Sequence, residues 1–480
     1  MKIEQIINKY RNISKPAKAS LWFIISSIFI RGISFFTLPL FTRLMTTEQY
    51  GILNVYYSWG AIVTIFTTLT LWGGVINVGM VKYPGRCNEV VSSFQGLATA
   101  LTAVFFITAC CFLSTISDII GLSELLITLI FIEILVQIPF NIWATKQRYF
   151  CNYKWLVYIT IFSAILNPIL GYILVINTEY KAEARIISGI VIQGIIGIWF
   201  WIANLRNGGK LYSKELWSYA VNFSIVLIPY YLSLQILNQS DRIMISRLCG
   251  DSYAGIYGVA YNFAMLIGLI TNGIYSSLTP YIYQSIKNKN IEYLTSRTTA
   301  VVMFVGIVTI GIICFVPDLF LFMLPNSYYP AIYVIPPVTL GAFYMFIYPL
   351  FSAVEMYYEE NQYISMGSVA AAIINVILNY FFIGIFGFIA AAYTTLLCYM
   401  ILAVAHYILM RKVQVGHNDS AQIYDIKKIF VICFSTTFLG LLILQIYDFH
   451  YLRWSILLFI FCILIIEREW CKKVVQSLSK

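Results

Sequence analysis

Apolar positions along this chain gather into fourteen long runs: residues 19–41, 52–78, 94–116, 119–142, 155–176, 186–204, 218–248, 254–282, 300–324, 331–356, 363–383, 387–410, 429–447 and 449–466. A helix crosses a hydrocarbon core with about 20 predominantly apolar residues, so each run predicts one membrane-spanning helix. The seventh run is long and polar in its second half, which predicts a helix that projects past the membrane or faces a cavity. The fourteenth is short and carries Arg453. The connections are brief, the longest outward one covering about residues 177–185, so no large soluble domain fits between them.

Composition turns this pattern into a class. Of 480 residues, 60% are hydrophobic and 11% charged, and the mean hydropathy is +0.81. Soluble domains carry about 25% charged residues. A soluble core cannot hide this much apolar surface behind so few charges, which excludes secreted, nucleic-acid-binding and disordered proteins. The ten cysteines include Cys110, Cys111, Cys314 and Cys398 inside apolar runs, where they read as small core hydrophobes, not a disulfide framework. The first run is too long for a cleavable signal and lacks a small-residue cleavage site.

The formal net charge of +10 says more about orientation than about a polyanionic partner. With the N-terminus inside, 24 of the 31 Lys and Arg residues fall in inner segments. Basic residues collect in cytoplasmic loops, so both termini are expected in the cytoplasm and the number of spans is expected to be even. The seven exceptions are Arg31, Arg43, Lys181, Arg185, Arg242, Arg247 and Arg453.

An internal repeat organises the spans. Arg43, Leu44, Gly51, Ile52, Val55 and Tyr57 recur 204 residues later as Arg247, Leu248, Gly255, Ile256, Val259 and Tyr261. The nine residues beginning Ala164-Ile165-Leu166-Asn167 align with those beginning Ala372-Ile373-Ile374-Asn375 at an offset of 208, with six identities. Six spans per half is an even number, so both halves enter the membrane in the same direction, as parallel repeats do. The expected fold is all-α and polytopic, with about fourteen transmembrane helices. It divides into a six-helix bundle at 1–204, a basic linker at 205–217, a second six-helix bundle at 218–410, and a loop, two extra helices and a basic tail at 411–480. Two such bundles suit alternating access by rocking.

Charged residues inside spans are costly and normally face a cavity or a partner. Arg31 lies mid-span, too far from either end to snorkel comfortably. Asp241 and Arg242 lie in the seventh span, Glu133 in the fourth and Glu124 near the outer end of that fourth span. Adjacent helical residues project about 100° apart. If the seventh span lines a cleft, one of Asp241 and Arg242 is therefore expected to face it while the other packs toward a neighbouring helix or the outer water. Glu133 reads as a proton carrier or counter-ion, or as a neutral or paired core carboxyl. His406 reads as a packed residue. Asn77, Gln137, Asn167, Gln235 and Asn375 read as interhelical glue or as groups for sugar hydroxyls. Gly208-Gly209-Lys210 lacks the spacing of a nucleotide-binding P-loop, and no H-E-x-x-H zinc motif is present. No cofactor or metal is expected, and the absence of large outer loops argues against an enzyme.

The stretch Arg31-Gly32, through Pro39-Leu40-Phe41-Thr42-Arg43-Leu44, to Glu48-Gln49-Tyr50-Gly51 resembles the opening of bacterial polysaccharide flippases of the O-antigen (Wzx) type. Ser240-Asp241-Arg242 followed by Gly255-Ile256-Tyr257 resembles that family's seventh-helix pattern. The wider superfamily includes multidrug exporters and the peptidoglycan lipid flippase. The resemblance implies a MATE-like fold in the bacterial inner membrane and export of an undecaprenyl-pyrophosphate-linked oligosaccharide, an O-antigen or capsule unit, to the outer leaflet. It also implies polymerase and chain-length proteins of the same pathway as partners, beside membrane lipids and without nucleic acid. Arg31 and Arg242 are then the phosphate-binding candidates, because guanidinium matches phosphate oxygens bidentately. Asp241 and Glu133 are the coupling or further binding candidates. The alternatives are a cation-coupled small-molecule exporter and, more weakly, a membrane glycosyltransferase.

Overall fold

The computed structural model describes residues 14–417 and 422–466. Its regular elements there are helices: α1 (Lys15–Leu44), α2 (Thr47–Thr68), α3 (Val75–Lys82), α4 (Cys87–Cys111), α5 (Leu113–Ile120), α6 (Glu124–Tyr149), α7 (Tyr153–Ile176), α8 (Lys181–Gly208) and α9 (Lys214–Cys249). There follow α10 (Asp251–Ala264), α11 (Ile267–Lys287), α12 (Ile291–Met323), α13 (Ile335–Tyr357), α14 (Asn361–Phe386), α15 (Ala390–Gly416), α16 (Ile426–Leu444) and α17 (His450–Ile466). Short 3₁₀ turns join some of them.

Eleven helical segments among the described residues are long and apolar enough to cross a membrane. The three expected spans outside that set are interrupted or short. Run 52–78 breaks at Leu69 and Thr70, both left-handed, and at Gly74, whose φ of 148° is open to glycine and rarely to other residues. Run 254–282 breaks at Met265 and Leu266, between α10 and α11. The last run forms the 17-residue α17. The break in the second run separates α2 from α3, and the break in the eighth separates α10 from α11, so each half interrupts its second span.

The chain divides into two compact units, the first reaching to Leu232 and the second starting at Ser233. The division falls inside α9, three residues after Pro229, and not at the expected linker 205–217. Side-chain contacts explain why early α9 belongs to the first unit. Trp217 Nε1 donates to Ser93 O at 2.9 Å, and Arg86 pairs with both Glu89 and Glu215. The basic residues expected in the tails, from Lys2 to Arg11 and from Arg468 to Lys480, lie outside the described residues.

Within the first unit α6 and α7 pack on α8, and α1 packs on α7. Within the second, α13 and α14 pack on α15 in the same pattern, as the internal repeat requires. Close approach in the first unit depends on glycine. A Cβ on Gly197 would fall on the Val136 carbonyl of α6, and one on Gly208 would meet Ser92 and Asn88 of α4. Small residues at such crossings are how helices associate where water supplies no hydrophobic drive. Asn204 adds polar glue, donating to Gln95 Oε1 at 2.8 Å and Pro139 O at 3.1 Å. The outer surfaces carry large apolar side chains such as Phe36, Trp155, Val226 and Phe322, each more than 70% exposed. That inside-out pattern suits a lipid environment.

Candidate functional site

In the first unit Arg31 occupies the middle of α1, roughly 20 Å from either end at 1.5 Å per residue. Its side chain is exposed, as are Ile28 and Phe29 in the turn before it, and it has no ion-pair or hydrogen-bond partner among the described residues. Helix α1 lies against α7 and leaves most of its surface, including this face, uncovered.

Glu133, on α6, is half-buried. Its Oε2 accepts from Tyr56 Oη at 2.7 Å and its Oε1 from Gln137 Nε2 at 2.8 Å. Arg185, on α8, is near enough for a Coulombic interaction with Glu133. The Arg185 guanidinium donates to Asn167 Oδ1 and to Ser188 Oγ and lies 4.6 Å from the Phe41 ring centroid. Asn167 is one of the expected glue residues, and here its work is to hold an arginine.

In the second unit Asp241 is fully buried. Its Oδ2 accepts from Tyr257 Oη at 2.6 Å and Thr395 Oγ1 at 2.9 Å, and its Oδ1 accepts from Asn379 Nδ2 at 2.7 Å. Asn379 Oδ1 is in turn taken by Thr394, and Asn375 links Asn379 at 3.2 Å to Ser240 at 3.0 Å. Helices α9, α10, α14 and α15 thus converge on one carboxylate, with hydroxyl and amide oxygens crowded around it.

Arg242 points elsewhere, as its position one residue on dictates. It is 7% exposed, donates through one Nη to Asn238 O at 2.6 Å and Gln239 Oε1 at 3.0 Å, and lies 4.2 Å from the Tyr261 centroid. Asp241 does hold nearby donors, and Arg242 projects away from them. Arg242 is engaged within its own unit, and Asp241 sits in the more elaborate site. The structure brings Asp241 and Arg242 into one polar cluster, while Arg31 and Glu133 belong to the other unit.

Two buried polar pairs within the spans escaped the reading of the sequence. Arg453 is 1% exposed and makes two hydrogen bonds to Asp318 of α12, at 3.0 and 2.9 Å. The charge that weakened the case for the last span is thus neutralised by a residue of the ninth. His406 is fully buried, as a packed residue should be, but its Nδ1 lies 3.0 Å from the buried Glu355 carboxylate of α13. Both pairs had a signal: by the alternation of the spans, each acid falls on the same side of the membrane as its partner.

An all-helical, multi-pass membrane protein with two repeated bundles is the class this fold defines. The family model for polysaccharide biosynthesis proteins matches residues 17–286, more than half of the chain, and the protein belongs to that family. A second model, MatE, matches residues 227–381, which contain the Asp241 shell up to Asn379. A Haemophilus influenzae protein of the Lsg locus is 22% identical over 383 residues, covering 75% of this chain and 90% of its own. Among solved structures, the lipid II flippase MurJ in an inward closed conformation aligns with a TM-score of 0.67 at 15% identity, over 94% of this chain and 99% of its own. An inward-facing multidrug resistance MATE transporter of the MOP superfamily aligns with a TM-score of 0.60 at 12% identity, over 82% and 96%. These likenesses establish a MATE-like fold.

Proposed function

We propose that the protein carries an undecaprenyl-pyrophosphate-linked oligosaccharide from the inner to the outer leaflet of the bacterial cytoplasmic membrane by alternating access. The observation that carries this reading is Arg31, a guanidinium exposed midway along a spanning helix with no protein counter-ion among the described residues. A charge at that depth is costly unless an anion meets it. Pyrophosphate supplies the anion, and the planar fork of arginine matches its oxygens. Membership of a polysaccharide biosynthesis family and a fold like that of the lipid II flippase support the same substrate. Arg242 is the second phosphate candidate, since only one of its Nη atoms is spent on Asn238 and Gln239. Asp241, with Asn375, Asn379, Thr394 and Thr395, is the coupling site for a proton or monovalent cation, and Glu133 is a second proton-carrying candidate. Both termini face the cytoplasm, and polymerase and chain-length proteins of the pathway take up the product.

The MatE match across the Asp241 region favours a second reading, export of a small molecule driven by a cation. That reading gives Arg31 no task. Proteoliposomes loaded with a fluorescent undecaprenyl-pyrophosphate glycan separate the two. The wild-type protein should expose the glycan to an external quencher. Arg31→Ala should abolish that exposure at normal protein level, and Arg31→Lys should keep part of it, because charge survives and the fork does not. Full activity of Arg31→Ala would remove the residue from the site. Export of small cations without glycan movement would favour the second reading.

A further inference from the structure

The second unit buries a further pair of titratable groups, away from the Asp241 shell. Glu355 of α13 and His406 of α15 are both fully buried. His406 Nδ1 lies 3.0 and 3.1 Å from the two carboxylate oxygens. It is the only hydrogen-bond partner of that carboxylate among the described residues, whereas Asp241 has three. The other imidazole nitrogen, Nε2, is buried and has no partner among the described residues. It faces α14 at Gly367, where an added Cβ would stand 3.2 Å from it. Tyr348 of α13 stacks on the imidazole, and Tyr399 of α15 stacks on Tyr348 in turn. The next charges along α15, Arg411 and Lys412, are engaged by Gln414 and by the ring of Tyr363. No Lys or Arg forms an ion pair with Glu355 among the described residues.

Charge balance decides how many protons such a pair holds. A neutral imidazole beside an ionised carboxylate leaves one negative charge in a fully buried site, met by one hydrogen bond, and such a charge is costly. A second proton beyond the first leaves an imidazolium with no counter-ion. One proton makes the pair neutral, as imidazolium with carboxylate or as imidazole with carboxylic acid, and it belongs to the pair and not to either residue. Nε2 is where a proton comes and goes, since Nδ1 is occupied by Glu355. By the Lys and Arg distribution, Glu355 lies toward the inner end of α13 and Asp241 toward the outer end of α9.

We propose that Glu355 and His406 form an inner proton-binding site, which holds one proton in the closed unit and exchanges it through Nε2 with water on the cytoplasmic side during transport. Its purpose rests on the transport reading above, in which Asp241 is the coupling site. Acid and histidine side chains inside spans mark proton relays. With Asp241 toward the outside and this pair toward the inside, the second unit carries a proton site at each of two depths that an inward-moving proton passes.

Nitrogen-15 NMR of histidine-labelled, full-length protein in nanodiscs reads the proton directly, because the chain has three histidines and His406→Gln assigns one of them. At about pH 7.5, above the ordinary histidine pKa of about 6.5, His406 should be an imidazolium in the wild type and neutral in Glu355→Gln. A neutral wild-type His406 keeps the site only if infrared spectra show a protonated carboxyl band that Glu355→Gln removes. Neutral histidine without that band overturns the proposal. In proteoliposomes the double variant Glu355→Gln/His406→Gln keeps two groups that can hydrogen-bond to each other and has nothing to titrate. Its melting temperature should stay near the wild type, while glycan exposure driven by an imposed pH gradient should fall about ten-fold. A wild-type response in the double variant overturns the role in transport. If the double variant does not fold, the spectra of the wild type still decide whether the pair holds a proton. A held proton in a wild-type protein that moves no glycan defeats the transport reading and leaves the proton site standing.

Discussion

In the first unit the intramembrane charges stand apart and partly open. Arg31 is exposed and unpaired among the described residues, Glu133 is half-buried with two donors, and Arg185 keeps its own escorts on α7 and α8. In the second unit Asp241 is closed off completely, and both of its oxygens are taken by donors from three neighbouring helices. The two units descend from one repeat, and Asn167 and Asn375 hold equivalent places in it. The first asparagine accepts from an arginine, while the second feeds a carboxylate shell. On that shared scaffold the polar residues differ: an arginine is left open in the first unit and an acid is sequestered in the second.

The sharpest break of this contrast is Asp241→Ala. It leaves Tyr257, Asn379 and Thr395 without their acceptor in a buried site. Interhelical hydrogen bonds in a membrane bundle average about 0.6 kcal/mol each, so three lost bonds amount to roughly 2 kcal/mol before the unpaired groups are counted. Transport should vanish, and the thermal transition in detergent should fall by several degrees. Asp241→Asn should be milder in stability and equally inactive, since an amide takes up no proton. Transport by Asp241→Asn at the wild-type rate would strip the shell of any coupling role.

The arginines sharpen the comparison at a smaller scale. Arg242→Ala removes a buried cation–π contact and two hydrogen bonds within the second unit, and a desolvated contact of that kind contributes about 2 kcal/mol. Its melting temperature should drop. Arg31→Ala removes no hydrogen bond or ion pair among the described residues, so its melting temperature should match the wild type while transport is lost. Were the two variants to swap these signatures, Arg31 would be structural and Arg242 the ligand-facing arginine.

These contrasts also show what could be read without coordinates. Span positions were legible because a lipid-facing helix needs a long apolar run wherever it sits. The repeat was legible because Arg43 and Arg247, like Asn167 and Asn375, keep their spacing. The interruptions at Leu69–Thr70 and at Met265–Leu266 were not, since both lie in sequence that is apolar enough to continue a helix, and tertiary packing decides where it stops. Arg31, Glu133, Asp241 and Arg242 were visible as charges out of place. Their directions were not, because the expectation for Arg242 rested on a ligand, whereas the fold supplies Tyr261 and Gln239. Asp318 and Glu355 were overlooked because a charge near the end of a run looks interfacial until its partner, Arg453 or His406, is brought beside it.

The smallest expected effect belongs to Glu133→Gln, and the reason lies in how the two carboxylates are satisfied. A glutamine at 133 can keep the Tyr56 hydroxyl on its amide oxygen. Its NH₂ then faces the Gln137 side chain, which turns over and offers its own oxygen, since Gln137 has no second side-chain bond in the structure to hold it. The pair re-forms with the same number of hydrogen bonds. Asp241 has no such freedom: Asn379 cannot turn over to meet an asparagine without surrendering Thr394. Stability of Glu133→Gln should therefore stay within about 0.5 kcal/mol of the wild type, the range of substitutions that break no buried network. Transport should stay within a factor of about three, or under about 0.7 kcal/mol. Proteoliposomes with and without an imposed pH gradient give the decisive reading. If Glu133 only braces α6 against Tyr56, the variant responds to the gradient as the wild type does. If it carries the coupling proton, the response disappears while the fold is unchanged, and the coupling acid moves from the closed unit to the open one.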